Sequence, residues 1–141
     1  MLEVAKAIRY LHSIGTVIDR EIDLGDVFLD SKLHAKIRSL CSTSRSLTET
    51  PGNYLLYGYE KRWNSYETNV FIFGCFFYEL YFDCTIALRW ECNNSKVSER
   101  PSEPTIREDA WQLIQQCCAE DRKARPSMNQ VVQEMESWNL S

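Results

Sequence analysis

The sequence predicts a mainly helical fold that carries one small β-hairpin, and three observations predict it. Apolar residues recur at helical spacing in 2–12, 106–118 and 127–138, and the run from Val70 to Phe82 is apolar nearly all round. The only strand candidates are two short stretches, Val27–Leu29 and Ala35–Arg38. At 141 residues and 44% hydrophobic content, the chain can bury one core and suits one domain.

In chain order, the first helix reads from Leu2 to His12. Glu3, Lys6 and Arg9 alternate there with apolar residues, a mixture that a secretory signal lacks. A loop runs on through Leu24 to the two short strands. Residues 41–53 hold six Ser or Thr together with Pro51 and Gly52, which predicts an irregular segment. Helix resumes at Thr68 and ends near Phe82. Its apolar run includes Glu79 and is too short for a membrane span, so it is expected to lie buried inside the protein. Residues 92–105 are polar, contain two prolines and read as a linker. Two further helices, Ile106–Cys118 and Ser127–Trp138, are separated where Pro126 interrupts the chain. Trp111 and Met128 sit beside apolar neighbours and are expected in the core. There are no internal repeats.

Charge and cysteine usage narrow the function classes. A net charge of -4 gives no electrostatic reason to bind nucleic acid or an anionic membrane. The six cysteines show no CxxC spacing, and only His12 and His34 could add imidazole ligands, so no metal site is expected. Free thiols in a reducing, cytoplasmic compartment fit this pattern. Cys117 and Cys118 are adjacent in a helical pattern and suit burial better than a bridge.

The most informative spacing is Asp19-Arg20-Glu21, then Asp23 and Asp26, then Ser39-Leu40-Cys41 thirteen residues past Asp26. It resembles a protein kinase catalytic centre, where His-Arg-Asp-x-Lys-x-x-Asn is followed by Asp-Phe-Gly. Other blocks resemble the same family in the same order. Ala5–Ser13 is similar to the helix before the catalytic loop, and Gly25–Ile37 to the hairpin between the two motifs. Glu60 falls where the Glu of Ala-Pro-Glu stands. Glu67–Asp83 resembles the central helix, and Arg100–Pro104, Trp111–Cys118 and Asp121–Met135 resemble the last helices of the tyrosine-kinase-like group. The chain is thereby identified as a degenerate, truncated C-terminal lobe of the protein kinase superfamily. The resemblance covers nearly all of residues 1–141, with 41–60 as an activation-segment-like loop. It implies a protein-kinase-like C-lobe without the N-lobe.

What that resemblance implies at each reacting position is loss of chemistry. Glu21 stands for the Asp that orients the substrate hydroxyl, and is one methylene too long for the geometry a base needs. Asp23 stands for a Lys that would neutralise the phosphoryl group, and its charge is reversed. Asp26 replaces the Asn that holds a second magnesium and could still serve a divalent ion. Ser39 replaces the Asp that bridges magnesium to the phosphates, which removes most of the electrostatic clamp. Leu40 keeps an apolar residue for Phe, and Cys41 replaces a Gly that can take positive φ. Asp19 replaces His, and Arg20 alone persists from the first tripeptide. Arg20 could dock a phosphate on Ser42, Thr43, Ser44, Ser46, Thr48 or Thr50, although loop Ser and Thr are also simple turn formers. Without the resemblance, the acidic residues from Asp19 to Asp26 read as a solvated face.

Structural anchors are expected to survive. The resemblance pairs Glu60 with Arg125, and it places Asn69 where an Asp receives backbone N–H groups of the catalytic loop; an amide oxygen can still accept them without charge. No G-x-G-x-x-G occurs in the chain. ATP and Mg²⁺ are therefore not expected to bind, and no catalytic residue is expected to be active. The expected role is a protein-binding or scaffold module, using the upper face that an N-lobe would cover, with neither nucleic acid nor membrane as partner. Two alternatives stay open: residual Ser/Thr or Tyr kinase activity if an N-lobe is supplied, and a gene fragment with no function.

Overall fold

A computed structural model describes residues 1–18, 22, 24–38, 65–83, 97 and 100–138. Among these residues the protein is mainly helical, with one two-stranded antiparallel sheet. Helix α1 (Leu2–Ser13) buries Val4, Ala5 and Ile8, the stripe that its helical period brings to one face. Strands β1 (Val27–Leu29) and β2 (Ala35–Ile37) pair in the register Val27↔Ile37, Phe28↔Lys36 and Leu29↔Ala35. Helix α2 (Tyr66–Phe82) forms the centre. Helices α3 (Glu108–Cys117) and α4 (Met128–Ser137) complete the core, α3 against α2 and α4 against α1.

The hairpin is held by its turn and by α1. Asp30 Oδ1 accepts the backbone N–H groups of Lys32 and His34 at 2.8 and 3.0 Å, so one carboxylate shapes the whole turn. Leu33 takes φ 63°, a left-handed conformation that glycine or asparagine adopts more readily. On the far side of β2, Glu3 Oε2 accepts the Ala35 N–H at 2.6 Å and ties the strand to α1.

Twelve residues of α2 are buried, from Thr68 to Phe82, and Phe73 has no exposed surface. A helix apolar on every face needs neighbours on every face, and α1, α3 and the turn at Arg122–Ala124 each pack against it. Gly74 sets the closest of these approaches. A Cβ there would stand 2.6 Å from Cys117 Cβ and 2.8 Å from Cys118 Sγ. Trp111 and Met128 lie in the core at 5% and 2% exposure.

Side-chain caps fix the starts of α2 and α4. Ser65 Oγ accepts the Thr68 N–H at 3.1 Å, so α2 starts at Tyr66, two residues earlier than its apolar run suggests. α3 starts at Glu108 rather than Ile106. The Ile106 carbonyl is held by Arg100 at 2.7 Å and Arg107 has ψ 145°, so neither residue joins the helix. Ser127 and Gln130 form a reciprocal capping box on α4, directly after Pro126. Two short 3₁₀ turns, Leu24–Asp26 and Arg122–Ala124, carry no apolar period; at the second, Asp121 accepts the Lys123 N–H at 3.0 Å. No described helix is long and apolar enough to cross a membrane.

Candidate functional site

The candidate site is the segment that leaves α1, passes Ile18 and enters the hairpin at Asp26. Asn69, fully buried in the first turns of α2, anchors its start. Its Oδ1 accepts the Ile18 N–H at 2.8 Å, and its Nδ2 donates to the Ile18 carbonyl at 2.9 Å. Together these bonds fix which way the amide points. Ile18 is itself fully buried, and among the described residues both of its backbone groups find their partner on this one side chain. The tether carries no formal charge, and its Nδ2–H satisfies a carbonyl that a carboxylate would instead repel.

His12 completes the anchor. Its Nε2 lies 3.1 Å from Asn69 Oδ1. That oxygen can only accept, so the ring carries its proton on Nε2 and donates. The ring also packs on Tyr66, with centroids 4.6 Å apart. Burial lowers its pKa below the ordinary 6.5, opposed by the Asn69 bond and by the charge of Glu67. The sign follows from linkage. Because the folded value is depressed, the unfolded chain takes up the proton first as pH falls. The stability tied to neutral His12 is full above about pH 6.5 and is lost as pH falls through the folded value. The described carboxylates with lowered values, Asp30, Glu67, Glu108, Asp109 and Glu136, start from 3.8 or 4.5 and lose their stabilising effect at more acidic pH. Urea denaturation at pH 7.5 and 5.2 should therefore show a fall in stability that His12→Gln flattens, since the Gln amide still donates but does not titrate. An equal fall in both proteins would remove His12 from the account.

At the hairpin, Asp26 is 6% exposed and its carbonyl accepts the Arg38 N–H at 2.7 Å. The pairing brings Asp26 to the residue preceding Ser39, uniting the two ends of the hairpin. Asp19, Arg20, Glu21, Asp23, Ser39, Leu40, Cys41 and Glu60 lie outside the described residues, as does the loop 41–60. Among the described residues, no group of three or more His, Cys, Asp or Glu could hold a metal ion.

Arg125 is half-buried. Its Nε donates to the Ala119 carbonyl at 2.8 Å, Nη1 donates to the Glu67 carbonyl at 3.1 Å, and the guanidinium lies 4.7 Å from the centre of the Phe71 ring. It therefore joins the turn after α3 to the first turns of α2. Arg100 plays a similar part at the other end of α3, bonding Glu108 at 2.6 Å and the Ile106 carbonyl while lying over Trp111 at 6.0 Å.

Sequence reasoning passes over His12 and Ile18 as site residues. The one local signal is that His12 continues the buried stripe Val4, Ile8 at intervals of four, where a polar residue needs a partner. It also passes over Phe28, which is 48% exposed and stands opposite Lys36 on the hairpin.

No protein-family model matches the chain. The chain is similar to curated proteins named "Dual serine/threonine and tyrosine protein kinase". It is 30% identical to the one from Gallus gallus over 150 residues and 30% identical to the one from Xenopus laevis over 153. The Mus musculus protein is 29% identical over 155 residues. Each match covers 95% of this chain and 16% of the relative's length. The chain is thus a kinase-related region that spans about a sixth of the relatives it matches.

Proposed function

We propose that this region is a protein-kinase-like C-lobe, of the tyrosine-kinase-like group, that has lost phosphoryl transfer and serves in the cytoplasm as a protein-binding or scaffold module. The observation that carries the reading is Ser39. In a kinase-related sequence it places a neutral hydroxyl where a carboxylate must bridge magnesium to the phosphates. Asp23 adds repulsion toward the same phosphates, and Glu21 displaces the base by one methylene. Asp26 puts a carboxylate where the Asn of the second magnesium stands, but it does not replace the bridging carboxylate lost at Ser39. The residues present do not fit a magnesium triphosphate.

Binding is supported by what the hairpin region presents. Leu24, Phe28, Leu29 and Leu33 are 48–75% exposed, grouped within ten residues. Apolar side chains concentrated in this way mark interaction surfaces. Light scattering on the purified chain should show association that grows with concentration, together with binding of a hydrophobic dye. A monodisperse monomer that leaves the dye dark would count against a binding role.

The relatives' name favours a second reading, residual kinase activity on Ser/Thr or Tyr. Incubation with ATP labelled in the γ-phosphate, Mg²⁺ or Mn²⁺, and a mixed Ser/Thr/Tyr peptide pool separates the two. We expect no label above the no-protein blank. Label that depends on the metal and disappears in Asp26→Ala would establish the second reading.

A further inference from the structure

We propose that Cys75 and Cys118 form a reversible two-electron modification site, at which a hydroperoxide oxidises the pair to a disulfide that joins α2 to the end of α3. The two Sγ atoms lie 4.0 Å apart in the core, from residues 43 positions apart in sequence. Both are free thiols. A disulfide needs about 2.05 Å between sulfurs, so closing the bond requires an approach of about 2 Å. The backbones are already close, because Gly74 leaves no side chain between α2 and the Cys117–Cys118 turn. Cys118 is the C-cap of α3, at the point where the chain leaves the helix.

The step balances. One thiol, as its thiolate, attacks the peroxide oxygen, giving a sulfenic acid and releasing water or an alcohol. The second thiol then displaces water from that sulfur. Both thiols lose a proton, the pair loses two electrons, and the peroxide O–O bond takes them up. The resting fold restrains the reaction. The hydrogen bond with Cys118 and then burial hold the Cys75 thiol well above its usual pKa, and burial pushes Cys117 up to about 12. Arg125 opposes the rise at both residues, and it is bonded to the Ala119 carbonyl beside Cys118. Reaction is therefore slow in the closed core, so the site responds to sustained oxidant rather than to a brief pulse.

The linkage closes a loop in the unfolded chain, which favours the folded state. The test treats the purified chain with hydrogen peroxide, quenches with iodoacetamide in urea, digests, and maps the linked peptides by fragmentation mass spectrometry, which breaks the backbone between Cys117 and Cys118. We expect a Cys75–Cys118 linked peptide, lighter than the two reduced peptides by two hydrogens. A thermal midpoint that rises with the linkage and returns with dithiothreitol is also expected. Both thiols alkylated in full after peroxide would overturn the proposal, as would Cys75 linked to Cys117 instead. A linked peptide without a rise in midpoint would overturn the stabilising role. Cys118→Ala should abolish the linked peptide and the rise, and because the mapping uses the parent protein it stands even where that variant fails to fold.

Discussion

Asn69→Leu should lower unfolding stability by about 2 kcal/mol. Leucine keeps the branched outline at Cγ and fills the space, so the loss comes chiefly from hydrogen bonding. It strands the Ile18 N–H and the Ile18 carbonyl, both with no surface to reach water. Each unsatisfied buried group costs roughly 1–3 kcal/mol, so the pair costs about 4 kcal/mol, while burying the leucine returns about 1.5–3 kcal/mol. The His12 bond is also lost, but that ring is half-buried and water can replace part of it. A typical domain is stable by only ~5–15 kcal/mol, so this loss is a sizeable share of the whole. Urea denaturation of parent and variant decides it. A change below about 0.5 kcal/mol, the range of ordinary surface substitutions, would mean that the tether does not bear on the fold.

Gly74→Val should cost about 3 kcal/mol, and Gly74→Ala clearly less. The new Cβ meets Cys117 Cβ at 2.6 Å, a contact with the root of a side chain that cannot swing away. Overpacking of this kind costs about 1–3 kcal/mol, occasionally more. For alanine, the gain of about 1 kcal/mol in helix propensity over glycine offsets part of that. Valine adds two methyl groups to the same clash, and its β-branching forfeits much of the propensity gain. Thermal denaturation of the three proteins should rank parent above Ala above Val. If Val equals the parent, α2 and α3 do not meet at Gly74.

The parts of the fold legible in the sequence are those that a period can encode. α2 is recognisable because a run such as Val70-Phe71-Ile72-Phe73 tolerates water on no side, and α1 because Val4 and Ile8 fall one turn apart. The start of α4 is legible because Pro126 and Ser127 are local signals for a break and a cap. The turn at Leu33 is not legible. No Asn-Gly or Asp-Gly marks it, and its geometry rests on the Asp30 carboxylate reaching two N–H groups across the turn. Nor is the start of α3, since the Ile106 carbonyl is claimed by Arg100 from outside the helix.

The site divides in the same way. Asn69 and Ile18 are 51 residues apart, and no composition or spacing rule connects them. The resemblance to kinases points to Asn69, while its second bond, Nδ2–H to the Ile18 carbonyl, follows from amide chemistry that only coordinates reveal. Arg125 is likewise singled out by resemblance, yet its described partners are two backbone carbonyls and the face of Phe71. The role expected for it with Glu60 lies outside the described residues. His12 is missed because a polar residue at a helix end needs no explanation until its partner is known.

The proposed function keeps a kinase-related frame without the chemistry that holds a magnesium triphosphate. Thermal denaturation of the purified chain in millimolar ATP, with and without Mg²⁺, tests it most directly. A ligand at ~100 times its dissociation constant adds roughly 2.7 kcal/mol to stability, so even weak saturable binding moves the midpoint. If Ser39 and Asp23 take the phosphate positions as proposed, no saturable shift and no difference between the two conditions is expected. A saturable, magnesium-dependent rise in the midpoint would contradict it.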